Sequence, residues 1–453
     1  MYSKRYVFDA LYGPVWFPDY VWEVVFSPEL QRLREVRLCN INSLSLTGGA
    51  NTNRYEHALG TAYLALIWLQ SQQRNISTAD SRALVIAALL HDIGSAAFGH
   101  STQYVLGPKY RHESIYDMLT GDSQTAQPAY RYQRFLLQHV YFGMPRRLPH
   151  LIEPKLLRYI SDIIEGRGTY GPLINGSMDL DNMDNVYRLA YHMGFVRSAQ
   201  GMLDLLPYLL LRKGKLVIDK RGVPLVEEWY RLRTVLYRFL LLNPDEFAAK
   251  CMLQEALELA QDESSVSFAW QDVDFQLVEK LFRCSAKCAS ITARLMLGDL
   301  YGCAGIFSVD APDLDGYFLE QKRREMEECL QKELRGLADA KLKPAKEKKA
   351  GLTRVRKPPK NLLVAIHAIK DVNKTQRALT FNLVDGGTMT IGTASRRFLV
   401  GVFLKNADLS MQNIKPDNLR AWGFTALIRN FLQRTFPGKT IKDLTPYEEV
   451  SEV

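Results

Sequence analysis

Through most of the first 300 residues apolar positions recur three and four residues apart, as in YVWEVVFSPELQRLREVRL at 20–38 and VEEWYRLRTVLYRFLLL at 226–242. That spacing lines apolar side chains along one face of an α-helix, so it predicts a mostly α body. LVIAALLHDIG at 84–94 reads as a helix whose last turn ends at Gly94, a residue suited to a C-terminal cap. Another helix begins near Arg54. Two extended pieces interrupt the pattern: SLSLTGG at 43–49, and KLVIDKRGVPL at 215–225 with Arg221-Gly222 as a hairpin turn. They read as small β ribbons on a helical body.

Further along, LEQKRREMEECLQKELRGLADAKL predicts a charged helix over about 319–342. KLKPAKEKKAGLTRVRKPPK at 341–360 then shows no periodicity. NLLVAIHAI, RALTFNLV, TMTIG and RRFLVGVFL follow as strands, with a turn at Asp385-Gly386-Gly387 and a last helix at about 416–434. The chain thus divides into a helical body over 1–340, a basic linker or loop over 341–360, and a small α+β unit over 361–453.

Composition changes this picture in one respect. With 47% hydrophobic and 24% charged residues in 453, the chain has the balance of a folded soluble protein. Its net charge of +9 is not spread evenly: residues 341–360 hold nine Lys and Arg against one acid. The positive field is therefore local, able to attract polyphosphate, nucleic acid or an acidic partner, or simply to solvate a linker. Six cysteines, at 39, 251, 284, 288, 303 and 329, form no CxxC pair. The longest apolar run, ALVIAALL at 83–90, is far short of a membrane span. A reduced, cytoplasmic protein without membrane contact or secretion leader is expected.

The chemistry lies in polar residues set among apolar ones. His57 and the pair His91-Asp92 sit in helix-like stretches, and Asp181 follows about 90 residues later in SMDLDNMDNVYRLAYHMG. Buried ionisable groups are costly unless paired or bound to a metal. A lone buried histidine is usually a hydrogen-bonded core residue, but two imidazoles and two carboxylates brought together by helices could bind a divalent ion. Such mixed nitrogen and oxygen donors suit Mn, Mg, Fe, Zn or Ni without choosing among them.

The ordered set His57, His91-Asp92, Asp181 resembles the metal site of the HD-domain phosphohydrolases. NRYEHALG at 53–60, SPELQRLREVRL at 27–38, ALLHDIGSAAFGH at 88–100, RHES at 111–114 and MDLDNMD at 178–184 resemble the dNTP triphosphohydrolase branch in order and spacing. Within that branch the chain is similar to the vertebrate SAM-and-HD-domain members, without a SAM domain. The likeness is strong to about residue 200 and looser after it, through LVIDKRGVPLVEEWYRLRTVLYRF and RRFLVGVFLKNADLS.

The resemblance implies a helical HD core over 1–340 and attack on the α-phosphorus of a dNTP, with intact triphosphate leaving. It implies His57, His91, Asp92 and Asp181 as metal ligands, His112 as proton donor or phosphate ligand oriented by Glu113, and His100 as a second active-site histidine. Arg54, on the same helical face as His57, and Arg233 would neutralise phosphate charge. Family members are commonly oligomers with nucleotide effector sites between subunits, which implies at least a homodimer and offers the basic 341–360 segment to a nucleotide effector or nucleic acid.

Departures concern the substrate. Where the vertebrate pattern has a Lys, a Tyr and an Asp after the metal aspartate, this chain has Asn182, Asn185 and Leu189. Ser95 stands for a second histidine past the HD pair, and Tyr237 and Leu241 stand for a sugar-pocket His and Tyr. Losing groups that pair a sugar hydroxyl weakens discrimination. Three readings stay open: a metal-dependent dNTPase-like phosphohydrolase, an HD-type phosphodiesterase or nuclease acting on nucleic acid, and a catalytically silent nucleotide sensor.

Overall fold

Asn53 starts the helix around which the described structure is built: its side chain accepts a hydrogen bond from Glu56 N at 2.9 Å, capping the helix Arg54–Ser71. Ser77 does the same for Thr78–Leu90, accepting from Asp80 N, and Asp179 for Leu180–His192, accepting from Asn182 N. The computed structural model describes residues 5–39, 52–72, 76–99, 101–102, 106, 110–120, 148–176, 178–263, 268–310, 316–342, 358, 362–370, 378–393, 397–406 and 416–444. Within them the chain is predominantly helical, as its periodicity predicts.

The chain opens with a hairpin, β1 (Tyr6–Asp9) and β2 (Gly13–Trp16). Helices α1 (Asp19–Val25), α2 (Pro28–Gln31), α3 (Arg54–Ser71), α4 (Thr78–Leu90), α5 (Ile115–Thr120), α6 (Leu148–Leu151), α7 (Pro154–Ile164), α8 (Leu180–His192) and α9 (Gln200–Leu205) follow. Strands β3 (Leu209–Arg212) and β4 (Lys215–Ile218) precede α10 (Val223–Leu242), α11 (Pro244–Asp262), α12 (Asp274–Cys284) and α13 (Ala286–Leu297). The remainder runs β5 (Gly302–Asp310), α14 (Gly316–Leu342), β6 (Val364–Lys370), β7 (Leu379–Leu383), β8 (Thr388–Ile391), β9 (Arg397–Leu404), α15 (Pro416–Trp422), α16 (Phe424–Thr435) and β10 (Ile441–Asp443).

Helix α3 packs between α4 and α8. All of Ala83–Leu90 in α4 are buried, so this helix is apolar on every side and lies inside the first core, which also holds Ala58, Leu64, Trp68 and Val186. A second core joins α11, α12 and α13 to one face of the sheet ordered β10-β5-β9-β6, and a third core covers the other face with α14, α15 and α16. Strand β9 shows the two-residue period: Leu399 and Phe403 enter the second core, while Phe398, Val400, Val402 and Leu404 enter the third.

Several expectations need correction. Strand β5 pairs with β9 and β10, and β4 pairs in parallel with β7, so strand pairing crosses the boundary drawn at 341–360 in both four-stranded sheets. The hairpin turn falls at Lys213-Gly214, not Arg221-Gly222; both turn residues have positive φ, +50° and +69°, which suits a tight two-residue hairpin. Arg221 and Gly222 instead lie in a 3₁₀ turn that leads into α10. Helix α4 stops at Leu90 rather than Gly94. Gly94 has a different task, because a Cβ there would sit 2.2 Å from the His112 carbonyl oxygen. The last helix is two, broken at Gly423 with φ +76°. The 43–49 piece lies outside the described residues, and so does the 341–360 segment apart from residues 341, 342 and 358.

Gly60, on α3, marks the closest approach to α8: a Cβ would meet Asp184 Oδ1 at 2.0 Å and Arg188 Nη2 at 2.2 Å. Both atoms belong to a fully buried ion pair that has no room to move. Gly60→Ala is therefore expected to lower unfolding free energy by about 1–3 kcal/mol. Chemical denaturation measures it, and an unshifted midpoint would contradict the close approach.

Candidate metal centre

Helices α3 and α8 and the turn after α4 bring His57, His91 and Asp181 together. One ligand atom from each lies within 4.8 Å of the other two. His57 Nε2 is 2.9 Å from Asp181 Oδ1 and 3.1 Å from His91 Nε2, and His91 Nε2 is 3.6 Å from the same Asp181 oxygen. The two rings meet edge to face, their planes 86° apart. Asp92 joins from the side: its Oδ2 is 3.7 Å from His91 Nε2 and 3.9 Å from His57 Nε2. All are buried except Asp181, whose side chain is 33% exposed, so the cluster opens on that side.

What orients the rings is an outer set of partners. His57 Nδ1 donates to Asp184 Oδ2 at 2.7 Å and His91 Nδ1 donates to Ala88 O at 2.8 Å, which leaves both Nε2 atoms facing the centre. Asp184 is itself held by Arg188 one turn on, through Nε at 2.9 Å and Nη2 at 3.0 Å, and by the Tyr12 hydroxyl at 2.6 Å. Arg188 also reaches Asp9 at 3.0 Å and Glu56 at 2.6 Å. Asp92 accepts from Arg54 Nη1 at 2.6 Å and from Ser95 Oγ at 2.8 Å. Arg32, fully buried, donates to the Ile93, Ser95, Trp270 and Asp272 carbonyls and so fixes the turn that carries His91 and Asp92.

The electrostatics favour positive charge at the centre. Asp9, Glu56, Asp92, Asp181 and Asp184 surround it, against the guanidiniums of Arg54 and Arg188. Burial opposes a charge on His57, but its hydrogen bonds to Asp181 and Asp184 outweigh this and hold its pKa up to about 10. His91 is raised likewise, burial being overcome by Asp92 and Asp181. Asp181 is lowered in spite of burial by the two histidines. Asp179, which caps α8, is pushed up to about 7 by burial and by the charge of Asp181. Two inward imidazole nitrogens with a surplus of carboxylates is a donor set that fits a divalent cation of mixed N/O preference.

Of the other residues expected here, His112 places Nδ1 3.5 Å from Glu113 Oε2. Arg233, buried on α10, stacks over the Tyr237 ring at 4.6 Å. His100 lies outside the described residues. The departures also find places: Ser95 bonds Asp92, Asn182 bonds Asp179, and Leu189 and Leu241 are buried in the cores. Sequence reasoning missed Asp184, Arg188, Tyr12, Asp9 and Glu56. The available signal was an acid and a base four residues apart, Asp184 and Arg188, between apolar positions of one helix.

A family model described as "HD domain" matches residues 54–128, from the start of α3 through the His91-Asp92 turn to beyond His112. The chain is 26% identical over 257 residues to protein MJ1154 of Methanocaldococcus jannaschii, covering 55% of this chain and 48% of that one. It is 22% identical over 206 residues to the deoxynucleoside triphosphate triphosphohydrolase SAMHD1 homolog of Dictyostelium discoideum, covering 42% and 37%. The chain spans about half the length of the curated relatives it matches. In fold it is similar to a crystal structure of a phosphohydrolase from Bacteroides thetaiotaomicron, with TM-score 0.56, 15% identity, and coverage of 88% of this chain and 100% of that one. No helix among the described residues is long and apolar enough to cross a membrane.

If Asp184 orients His57, the isosteric Asp184→Asn should weaken Mn2+ binding by about 10–100-fold, as read by calorimetry. Binding should also tighten as pH rises from about 6 to 9, because the proton that His57 holds below its raised pKa must leave before the nitrogen can ligate. An affinity that does not change with pH would contradict the assignment of Nε2 as a ligand atom.

Proposed function

We propose that this chain, which belongs to the HD-domain phosphohydrolase superfamily, is a metal-dependent hydrolase of nucleotide triphosphates that releases intact triphosphate from a dNTP. The observation that carries the reading is the facing pair of imidazole nitrogens, 3.1 Å apart, with Asp92 and Asp181 beside them. His57, His91, Asp92 and Asp181 hold the divalent cation. When bound, such an ion supplies Lewis acidity and a water of lowered pKa.

The chain's own groups do the rest. Arg54 lies against Asp92 with its guanidinium one bond from the cluster, and together with Arg233 it neutralises the charge of the phosphates. His112 gives its proton to the departing oxygen, and Glu113 at 3.5 Å keeps that imidazole oriented for the task. Both side chains are partly exposed, as groups that meet substrate must be. Ser95 and Arg54 fix the two carboxylate oxygens of Asp92, so the ligand set is preorganised before substrate arrives. The similarity to triphosphohydrolases named for dNTPs supports a nucleotide substrate; the homo-oligomer of at least two copies rests on the resemblance of the sequence motifs alone.

Incubation with Mn2+ or Mg2+ and a panel of dNTPs, NTPs and single-stranded oligonucleotides separates the outcomes. Nucleoside plus triphosphate is expected; shortened oligonucleotides would replace this reading with a nuclease, and bound nucleotide without turnover would replace it with a sensor. Asp92→Ala should abolish turnover while the circular dichroism spectrum stays that of the folded protein. Retained activity would remove Asp92 from the catalytic centre. Arg54→Ala should raise KM and, by leaving buried Asp92 without its guanidinium and with only the Ser95 hydroxyl bonded to it, cost about 3–5 kcal/mol of stability in metal-free protein, measured by urea unfolding.

A further inference from the structure

We propose that the exposed aromatic face of the β1–β2 hairpin is where a second copy of this chain docks, and that this contact steadies the histidine cluster through Asp9 and Tyr12 on the other face of the hairpin. The steadying presupposes the metal centre assigned above; the docking does not.

Strand alternation sorts the hairpin into two faces. On one, Tyr6 pairs with Trp16 and Phe8 with Pro14; on the other, Val7 pairs with Val15 and Asp9 with Gly13. The second face turns inward, with Val15 in the first core and Asp9 buried. The first face is bare: Tyr6 is 57% exposed, Phe8 74% and Trp16 51%, and the Tyr6 and Trp16 rings lie 5.8 Å apart. Arg5 carries the patch on to the end of α1, reaching over the Phe26 ring at 5.6 Å, and that ring, 50% exposed, stacks on Trp22. One exposed aromatic means little. Several together on a two-stranded ribbon, itself a marginal element, mark an interaction site.

Size and charge say what covers it. A fully exposed aromatic side chain presents roughly 150–250 Å², so four that are half exposed or more leave on the order of 400 Å² of ring surface per copy. With the prolines and backbone around them, two such faces bury about 1,200 Å² in total, the lower bound of a specific interface. Along residues 5–26 the exposed charges are Arg5, Asp19 and Glu23. One base beside two acids is a poor match for nucleic acid or an anionic lipid surface, which both call for clustered cations. The same mixture suits a twofold contact with itself, in which Arg5 of each copy faces the acids of the other and the rings meet between them.

The inward face leads to the cluster by direct contacts. Asp9 Oδ1 accepts from Leu11 N at 2.8 Å and from Tyr12 N at 3.0 Å, shaping the hairpin turn, and Asp9 Oδ2 meets Arg188 at 3.0 Å. The Tyr12 hydroxyl donates to Asp184 Oδ1 at 2.6 Å, and the Arg188 guanidinium lies over the Tyr12 ring at 5.5 Å. Asp184 in turn holds His57 Nδ1 at 2.7 Å. A ribbon pinned on both faces presents Asp9 and Tyr12 to Arg188 and Asp184 more firmly than one pinned on a single face. The docked copy therefore favours metal binding, and by reciprocity metal favours the dimer.

Sedimentation equilibrium on the full chain without metal should show reversible dimerisation, and Phe8→Ser combined with Trp16→Ser should weaken it by about thirtyfold or more. Both side chains are exposed in the single chain, so the double variant should keep the wild-type circular dichroism spectrum. If it does not fold, Arg5→Glu on the rim should weaken dimerisation by about threefold. A wild type that stays monomeric at its highest soluble concentration, or association unchanged in the folded variant, overturns the docking surface. So does wild-type binding to anionic vesicles or single-stranded DNA that the variant loses, which would assign the face to lipid or nucleic acid. Calorimetry reads the coupling: Mn2+ should bind the wild-type dimer about fivefold or more tighter than the double variant. Equal affinities overturn the coupling alone. No Mn2+ binding by either protein removes the metal centre and the coupling with it, while sedimentation still decides the docking.

Discussion

Two imidazole nitrogens 3.1 Å apart in a protein interior repel one another through their lone pairs unless positive charge lies between or upon them. Here neither ring can turn away. Each has its Nδ1–H committed outward, to Asp184 in one case and to the Ala88 carbonyl in the other, and the rings are buried within packed helices. The carboxylates of Asp92 and Asp181 lie beside the same point. The fold has thus spent the burial of several charged groups on one small region. That is unfavourable for stability unless the geometry serves something else. A bound cation would resolve the conflict; without one, the surrounding carboxylates favour a proton on His57, whose pKa they raise to about 10.

Holding that arrangement extends well beyond these four side chains. Arg188 ties Asp184 to Asp9 and Glu56, so helix α8, helix α3 and the N-terminal hairpin meet in one ion network. Arg32 binds four backbone carbonyls and anchors the turn after α4 to the 270–272 segment. Gly60 and Gly94 allow the approaches that a side chain would block. These are the features expected of a preorganised centre, in which the outer partners matter nearly as much as the ligands.

The helical class was legible from periodicity, and so was the start of α3 near Arg54, because three-to-four spacing is a local signal. His57 and His91-Asp92 stood out as ionisable residues in apolar stretches, while the full set with Asp181 came from the resemblance to the HD-domain motif; the structure brings His57, His91 and Asp181 together. What was not legible is non-local. Asp184 and Arg188 look like an ordinary exposed i,i+4 pair until α3 is laid across them. Gly94 reads as a helix cap until His112 is seen to pass it. Strand β5 lies in sequence beside helices, and only its pairing with β9 shows that the sheet draws on both sides of the basic segment.

The central claim is that His57, His91, Asp92 and Asp181 share one divalent cation. Anomalous diffraction from crystals grown with Mn2+ tests it most directly. The account predicts a single strong peak per chain, bonded to the Nε2 atoms of His57 and His91 and to the Asp92 and Asp181 carboxylates. A peak elsewhere, or none at this cluster under saturating Mn2+, would contradict it.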